Sequence, residues 1–186
     1  SENSQAIDYL QFPIQTLRYR AGDCDDLSIL YCTLLESIGI ETAYVTIPGH
    51  ILMAFKLDID PDEARKLFRN AEQDLIILNE DVWVPVETTL VQHTFLDAWE
   101  KGSEQWRANA LNGRAQLIPN HSSWRQYPPV GFEYPNPPEL DVTTESVLAS
   151  YTQELDRFVE NQIGQRAYAL TQAIDTAPRP NPRLIN

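Results

Sequence analysis

The sequence predicts an α+β domain in which a buried helix precedes a set of antiparallel strands. The first observation is a run of apolar residues at the spacing of one helix face, between Leu27 and Ile38. The second is a change of period after Gly39, where short β-branched runs replace the helical pattern. The third is that short turn signals separate these runs, which favours antiparallel hairpins. A helix followed by antiparallel strands is typical of an α+β fold.

The predicted helix begins within the sequence Gly22-Asp23-Cys24-Asp25-Asp26. Asp23 is a good N-cap, and Asp26 lies three residues later, where its carboxylate can reach back to unpaired amides. The apolar stripe follows, and its members are Leu27, Leu30, Tyr31, Leu34, Leu35 and Ile38. Cys24 therefore lies in the first turn, where the helix dipole and unpaired N–H groups favour a thiolate and can receive an oxyanion.

Four strands and three further helices are predicted after this helix. The strands are Thr42–Ile47, His50–Leu57, 74–78 and Asp81–Val86. The sequence Pro48-Gly49 separates the first two strands, and Asn79-Glu80 forms a tight turn between the last two. The predicted helices cover parts of 60–72, 94–109 and 141–175. Together these elements describe a small sheet flanked by helices.

Composition divides the chain into three predicted parts. Residues 1–118 carry the α+β domain. Residues 119–138 contain six prolines, and we expect an extended segment that wraps around the domain. Residues 139–186 form a helical C-terminal extension, because apolar residues recur at helical spacing there. We expect the chain to be part of a longer protein, in which helical repeats could follow.

The overall charge argues against two classes of partner. The net charge is −13, from 14 basic and 27 acidic residues. Nucleic acids and anionic membrane surfaces both attract cationic proteins, so we expect neither as a partner. No apolar run approaches the roughly 20 residues of a membrane span, so we expect no membrane insertion. With 42% hydrophobic residues, the chain can bury a core.

The two cysteines are predicted to be free thiols. Cys24 and Cys32 lie on the same predicted helix, about 12 Å apart along its axis. This separation exceeds the reach of a disulfide bond. Cys32 lies beside the apolar stripe, so we expect it to pack in the core.

Three separate segments supply the residue types of thiol acyl-transfer chemistry. Cys24 begins a helix, His50 begins a strand after a Pro-Gly turn, and Glu87 follows the end of another strand. In such chemistry an imidazole deprotonates the thiol, and an acid fixes the imidazole tautomer and stabilises its charge. Each residue alone also has an ordinary structural explanation. The other histidines, His93 and His121, are expected to face solvent.

The same segments resemble the motifs of the transglutaminase-like superfamily. Gly22-Asp23-Cys24-Asp25-Asp26-Leu27 is similar to its cysteine motif, Pro48-Gly49-His50 to its histidine motif, and Trp83-Val84-Pro85-Val86-Glu87-Thr88-Thr89 to its acid motif. The resemblance covers residues 13–90. It implies a papain-like core, in which a buried helix carrying the cysteine packs on an antiparallel sheet carrying the histidine and the acid. It also implies that Cys24 is the nucleophile, His50 the base and Glu87 the orienting acid. The family often has Asp at the third position, so Glu87 is a departure.

The predicted function is acyl transfer on amide or peptide bonds of a protein or peptide substrate. Cys24 attacks the carbonyl to form a thioester, and its backbone N–H is the one oxyanion donor that we name. Water or an amine then releases the acyl group, and no cofactor or metal is expected. The superfamily includes peptidases, amidases and cross-linking enzymes, so the resemblance does not select among these reactions.

Two other interpretations stay open at this point. A catalytically silent domain with the same fold could be a protein- or peptide-binding module within a longer chain. A metal site of Cys24, His50 and Glu87 is also conceivable, although zinc usually takes more Cys or His ligands. Acidic neighbours of Cys24 disfavour a thiolate unless a cationic group is near. Activation by His50 therefore distinguishes the enzyme from the binding module.

Overall fold

The computed structural model of the protein describes residues 9–131 and 142–176. Within these residues there are seven helices and one sheet of five antiparallel strands, which confirms the α+β class. The helices are α1 (Pro13–Tyr19), α2 (Cys24–Ser37), α3 (Pro61–Leu67), α4 (Ala71–Asp74), α5 (Phe95–Ala110), α6 (Asn120–Trp124) and α7 (Thr144–Thr176). The strands are β1 (Thr42–Ile47), β2 (His50–Leu57), β3 (Ile76–Leu78), β4 (Asp81–Val86) and β5 (Gln116–Pro119).

The order of the strands brings two predicted site residues to the same end of neighbouring strands. The order is β3-β4-β2-β1-β5, so β2 and β4 are neighbours. In their antiparallel register Met53 pairs with Val86. His50 begins β2 and Glu87 follows β4, and the two strands are antiparallel, so both residues lie at the same end of this strand pair. The sheet topology alone therefore brings the histidine and the acid close together.

Two tight turns fix the register of the hairpins. Asn79 and Glu80 both have positive φ, at 51° and 69°, as a type I′ turn requires. Pro48 and Gly49 join β1 to β2, and Ile47 pairs with His50 across the loop. Gly49 has φ 71°, which glycine adopts without steric cost. This turn determines where His50 enters the sheet.

The core lies between the sheet and its helices. Helix α2 packs on β2, and helix α5 packs on β4. The central cluster of buried residues comes from four strands, and its members are Ala43, Val45, Leu52, Ala54, Ile76 and Trp83. Trp106 of α5 packs against this cluster. Helices α2 and α5 also contact the residues that follow β4, through Ser28 and Ala98.

The buried face of α2 differs from the predicted apolar stripe. Its buried residues are Asp26, Ser28, Leu30 and Cys32. Three predicted stripe residues are instead exposed, namely Tyr31, Leu34 and Ile38. The physical reason is that Asp26 and Ser28 find hydrogen-bond partners on other segments, so the helix can bury polar side chains. The prediction that the whole stripe is buried was therefore wrong.

The chain divides into two compact units, Ser1–Val142 and Thr143–Asn186. In the first unit, β5 pairs with β1 as far as Pro119, and α6 follows at once. The predicted wrapping segment thus begins with a strand end and a helix turn, and its residues 132–138 lie outside the described residues. The second unit contains α7, which has 33 residues. None of the described helices is long and apolar enough to cross a membrane.

Gly102 allows α5 to lie directly on the backbone of β4. A Cβ atom added at Gly102 would lie 2.7 Å from the carbonyl carbon and oxygen of Pro85, and 2.9 Å from the nitrogen of Val86. Real Cβ atoms do not approach backbone this closely. The glycine that weakens the helical pattern in the sequence is therefore required by packing. It also sets the position of the chain immediately before Glu87.

We predict that Gly102→Ala destabilises the fold. The added methyl group overlaps backbone atoms that cannot rotate away, so the free energy of unfolding should fall by about 2 kcal/mol. Denaturant unfolding followed by circular dichroism measures this change. Gly131→Ala is the matched control, because a Cβ at that position meets nothing within 4 Å. Equal unfolding midpoints for the two variants would contradict the packing argument.

Candidate thiol active site

The start of α2 is fixed by a reciprocal pair of caps. The Asp23 carboxylate accepts hydrogen bonds from the amides of Asp25 and Asp26, at 3.1 and 3.3 Å. Asp26 accepts in return from the amide of Asp23, at 3.4 Å. This capping box confirms the predicted helix start, and it makes Cys24 the first residue of the helix.

Asp26 also anchors this turn to the preceding chain. Its carboxylate accepts from the backbone N–H of Gln11 at 2.8 Å and from the Gln11 side-chain amide at 2.5 Å. Gly22 makes room for the arrangement, because a Cβ there would lie 2.8 Å from the Cβ of Asp26. The turn that carries Cys24 is therefore held from both sides.

The Cys24 sulfur lies near the beginning of β2, where the backbone N–H of Ile51, the residue that follows His50, acts to lower the pKa of the thiol. The thiol is also in contact with Asp25, with 3.4 Å between Sγ and Oδ1. These contacts bring the predicted nucleophile to the strand start that carries the predicted base.

The surroundings of Cys24 favour the neutral thiol over the thiolate. Burial raises the pKa of the Cys24 thiol above its ordinary value, and the negative charges of Asp25 and Asp23 raise it further. The N–H group of Ile51 acts in the opposite direction without reversing the shift. The expected effect of the acidic neighbours is confirmed. The thiol therefore requires a base to react as a nucleophile near neutral pH.

His50 and Glu87 form a short, largely buried pair. The distance from His50 Nε2 to Glu87 Oε2 is 2.6 Å, and Glu87 is 3% exposed. An ionised carboxylate only accepts hydrogen bonds, so the neutral imidazole carries its proton on Nε2 and its lone pair on Nδ1. Nδ1 is thus the ring nitrogen that can take a proton from a thiol.

Several donors keep the Glu87 carboxylate ionised. Burial acts to raise the pKa of Glu87, but hydrogen bonds from Thr89, His50 and Gln105 outweigh it and lower that pKa. Thr89 supplies both its hydroxyl, at 2.6 Å, and its amide, at 3.0 Å, to Oε1. A buried carboxylate with this many donors is a fixed anion.

Buried contacts join the loop that follows β4 to both neighbouring helices. We call this loop, which contains Glu87, Thr88 and Thr89, the acid loop. The hydroxyl groups of Ser28 and Thr88 lie 3.2 Å apart, which links α2 to the loop. The amide of Glu87 donates to the carbonyl of Ala98 in α5, at 3.0 Å. Thr88 and Thr89 belong to the acid motif in the sequence, but no role was predicted for them, and Ser28 and Gln105 were not predicted at all. No local pattern marks the last two, because their partners are distant in sequence.

The other histidines lie away from this site and are half-exposed. His93 is 3.9 Å from Asp97, and its side chain is 57% exposed. His121 is hydrogen-bonded to Glu36 at 2.8 Å, and its side chain is 49% exposed. Their predicted solvent-facing positions are confirmed. His50 is thus the histidine that the fold pairs with the predicted acid, Glu87.

One group of side chains that includes Cys24 has the composition of a cation site. The ligand atoms of Asp23, Cys24 and Asp25 lie within 4.8 Å of one another. These residues are explained by the helix cap, because Asp23 already accepts two backbone amides. The alternative metal site of Cys24, His50 and Glu87 is disfavoured, since His50 Nε2 and Glu87 Oε2 bind each other.

We predict that ionisation of Glu87 makes the free energy of unfolding fall as the pH is lowered. Its pKa is lowered in the folded state, so its contribution is present above its unfolded pKa of about 4.3 and is lost as pH falls through the folded value. Between about pH 7 and pH 3, the wild type should lose more unfolding free energy than Glu87→Gln. Denaturant unfolding across this range measures the difference.

The matched control for this experiment is Glu104→Gln. Glu104 is an exposed acid on α5 that pairs with Lys101 at 2.7 Å. Its removal should leave the pH profile close to that of the wild type. If the free energy of unfolding varies with pH in the same way for the wild type and Glu87→Gln, Glu87 is not held as an anion in the folded protein.

Comparison with known proteins assigns no family to this arrangement. No family model, no curated protein and no solved structure matches the chain. The resemblance to the transglutaminase-like superfamily therefore stays a prediction from three short motifs.

Proposed function

We propose that this protein is a cysteine acyl-transfer enzyme that acts on amide or peptide bonds. The observation that carries the proposal is the 2.6 Å contact between His50 Nε2 and Glu87 Oε2. These residues are 37 positions apart, yet they meet at the start of β2, where the backbone N–H of Ile51 acts on the pKa of the Cys24 thiol. An imidazole held at Nε2 by a buried anion is the base that a neutral thiol needs.

In the first step, Cys24 becomes bonded to the substrate carbonyl. His50 Nδ1 takes the thiol proton as the sulfur attacks, and the carbonyl electron pair moves onto oxygen. The C–N bond then breaks as the carbonyl re-forms, and His50 returns the proton to the leaving amine. The products are a thioester on Cys24 and a free amine. Glu87 stabilises the transient imidazolium without accepting its proton.

The start of α2 can stabilise the negative oxygen of this intermediate. The cap uses the amides of Asp25 and Asp26, so we assign the backbone N–H of Cys24 as the oxyanion donor. The positive end of the helix dipole adds to this stabilisation. The acidic cap and the anionic intermediate therefore interact with different amides of one helical turn.

In the second step, water or an amine attacks the thioester. His50 takes a proton from the attacking molecule, and the C–S bond breaks to restore the thiol. Water gives hydrolysis and an amine gives transamidation, with the same three residues in both reactions. The shape of the cleft, and not the triad, determines the acceptor. We expect a protein or a peptide as the acyl donor.

We further propose that the core has a papain- or transglutaminase-like fold, with the C-terminal residues as a helical extension. Helix α2 begins with the nucleophile and packs on β2, which begins with the base. The neighbouring strand β4 ends immediately before the acid. This order of elements supports the proposed core.

One observation favours the silent binding module instead. The pKa of the Cys24 thiol is raised by burial and by its acidic neighbours, and a raised pKa reduces the thiolate fraction. If His50 does not assist the thiol, Cys24 is inert and the same surface serves for peptide binding. The reactivity of Cys24 in the presence and absence of His50 distinguishes the two functions.

We predict that iodoacetamide labels Cys24 and spares Cys32 in the folded protein. Cys32 is 2% exposed, and burial raises the pKa of its thiol to about 11. At neutral pH, His50→Ala should slow the labelling of Cys24 about tenfold or more, because the base is lost. Peptide mapping by mass spectrometry after timed labelling measures both rates.

His93→Ala is the control for this experiment, because it removes an exposed histidine outside the site. Its labelling rate at Cys24 should equal that of the wild type. If Cys24 and Cys32 are labelled at equal rates, or if His50→Ala does not change the rate at Cys24, the proposed enzyme is rejected in favour of the catalytically silent binding module.

We predict that an activated ester acylates the wild type once, at Cys24. With p-nitrophenyl acetate, intact-mass spectrometry should find one acetyl group on the wild type and none on Cys24→Ala. The variant should change the free energy of unfolding by less than about 1 kcal/mol, since Cys24 is not a core residue. Acylation of a stably folded Cys24→Ala to the same extent would overturn the assignment of the nucleophile.

A further inference from the structure

The two oxygens of the Glu87 carboxylate have separate partners. Oε2 lies 2.6 Å from His50 Nε2. Oε1 accepts two hydrogen bonds from one residue, the hydroxyl of Thr89 at 2.6 Å and the Thr89 backbone N–H at 3.0 Å. A carboxylate is planar, so the anchoring of one oxygen determines where the other oxygen points.

The acid loop is held in place without the hydroxyl that binds Oε1. The amide of Glu87 donates to the carbonyl of Ala98, and the amide of Leu90 donates to the Glu87 carbonyl at 3.3 Å, which closes a turn. The hydroxyl groups of Ser28 and Thr88, 3.2 Å apart, link the loop to α2. The threonine hydroxyl on Oε1 is therefore free to serve the carboxylate rather than the backbone.

Thr89 differs from the rest of the acid loop in its exposure. Glu87 and Thr88 are 3% and 4% exposed, whereas Thr89 lies at the surface. Thr89 therefore contributes little to the buried core. Its hydroxyl group instead reaches inward to a buried anion, Glu87 Oε1. The main effect of this side chain is thus on the position of the Glu87 carboxylate.

A glutamate at this position needs such an anchor. The terminal torsion of its side chain is broad, so the carboxylate turns easily about its last bond. Without the hydroxyl on Oε1, the Glu87 carboxylate can rotate and carry Oε2 away from His50 Nε2 with no movement of the backbone. The charge then stays in the loop, but its direction is no longer fixed.

The direction of Oε2 decides which ring nitrogen of His50 carries the proton. A carboxylate accepts hydrogen bonds and cannot donate them, so its contact with Nε2 favours the tautomer with the proton on Nε2. That tautomer leaves the lone pair on Nδ1, which is the nitrogen that the proposed mechanism uses as the base.

We propose that Thr89 is a positioning residue, which anchors Glu87 Oε1, directs Oε2 to His50 Nε2 and so maintains the tautomer that can accept a thiol proton. Thr89 acts only through Glu87 and takes no part in the bonds that form or break. The use of this tautomer in catalysis rests on the proposed acyl transfer at Cys24, whereas the tautomer itself can be measured without any reaction.

The first test measures the tautomer of His50 directly. ¹⁵N NMR of the full chain, labelled at histidine, distinguishes the protonated from the unprotonated nitrogen of each neutral ring, and His50→Ala identifies the His50 signals. We expect the proton on Nε2 in the wild type. In Thr89→Val, which keeps the branched shape and removes the hydroxyl, we expect a mixture of tautomers, because only the backbone N–H still holds Oε1.

Three further variants separate the hydroxyl from other effects of substitution. Thr89→Ser restores the hydroxyl, so it should show the tautomer of the wild type. Thr89→Ala should agree with Thr89→Val, and it keeps the test valid if Thr89→Val does not fold. Thr33→Val is the matched control, because it removes a hydroxyl from an exposed threonine of α2 and should leave the tautomer unchanged.

The second test asks whether the orientation of His50 affects Cys24. For each variant, the rate of iodoacetamide labelling at Cys24 is divided by the rate in the same variant with His50→Ala. In Thr89→Val this ratio should be about threefold or more below that of the wild type, and in Thr89→Ser it should equal the wild-type ratio. A purely structural threonine would change the free energy of unfolding and leave the ratio unchanged.

Three outcomes overturn the proposal. They are a wild-type tautomer in both Thr89→Val and Thr89→Ala, a wild-type labelling ratio in Thr89→Val, and a folded Thr89→Ser that behaves as Thr89→Val does. A different result rejects the acyl-transfer function, namely equal labelling of Cys24 in the wild type and in His50→Ala. In that case the tautomer still decides whether Thr89 orients the ring, so the two proposals fail on different measurements.

Discussion

The Glu87 carboxylate is the group on which the geometry of the site depends. It is 3% exposed and accepts from the Thr89 hydroxyl, the Thr89 amide and the His50 ring. A buried anion of this kind is tolerated only when its donors are in place. The same residue donates its amide to Ala98 of α5. Glu87 therefore orients the imidazole and orders the loop after β4 through its carboxylate, and it ties that loop to a helix through its backbone N–H.

The position of this carboxylate is set in turn by close backbone packing. Gly102 lets α5 lie on Pro85 and Val86, directly before Glu87. On the other side, the Ser28–Thr88 hydroxyl contact holds α2 against the acid loop. Helix α2, which begins with Cys24, and the loop that carries Glu87 are distant in sequence, and the Ser28–Thr88 contact holds them together. The arrangement of Cys24, His50 and Glu87 therefore also depends on residues outside the proposed triad.

Local signals in the sequence predicted what depends on local structure. The capping box of α2, the turn Asn79-Glu80 and the limits of β1, β2 and β4 all follow from neighbouring residues. What depends on distant partners was not predicted. Strand β5 has four residues and exists because it pairs with β1, and the buried face of α2 follows partners far along the chain. The sequence likewise indicated His50 and Glu87 separately, whereas their 2.6 Å contact is a property of the sheet.

The neutral state of the Cys24 thiol has a consequence for oxidation. Peroxides react with thiolates, and a thiolate is converted to sulfenic acid and then irreversibly to sulfinic acid. Burial and the acidic neighbours of Cys24 keep its sulfur protonated at rest, so the ground state is a poor target for oxidants. Deprotonation by His50 during attack on a carbonyl would make the thiolate transient. The acidic helix cap that opposes ionisation thereby protects the sulfur of the resting protein from oxidation.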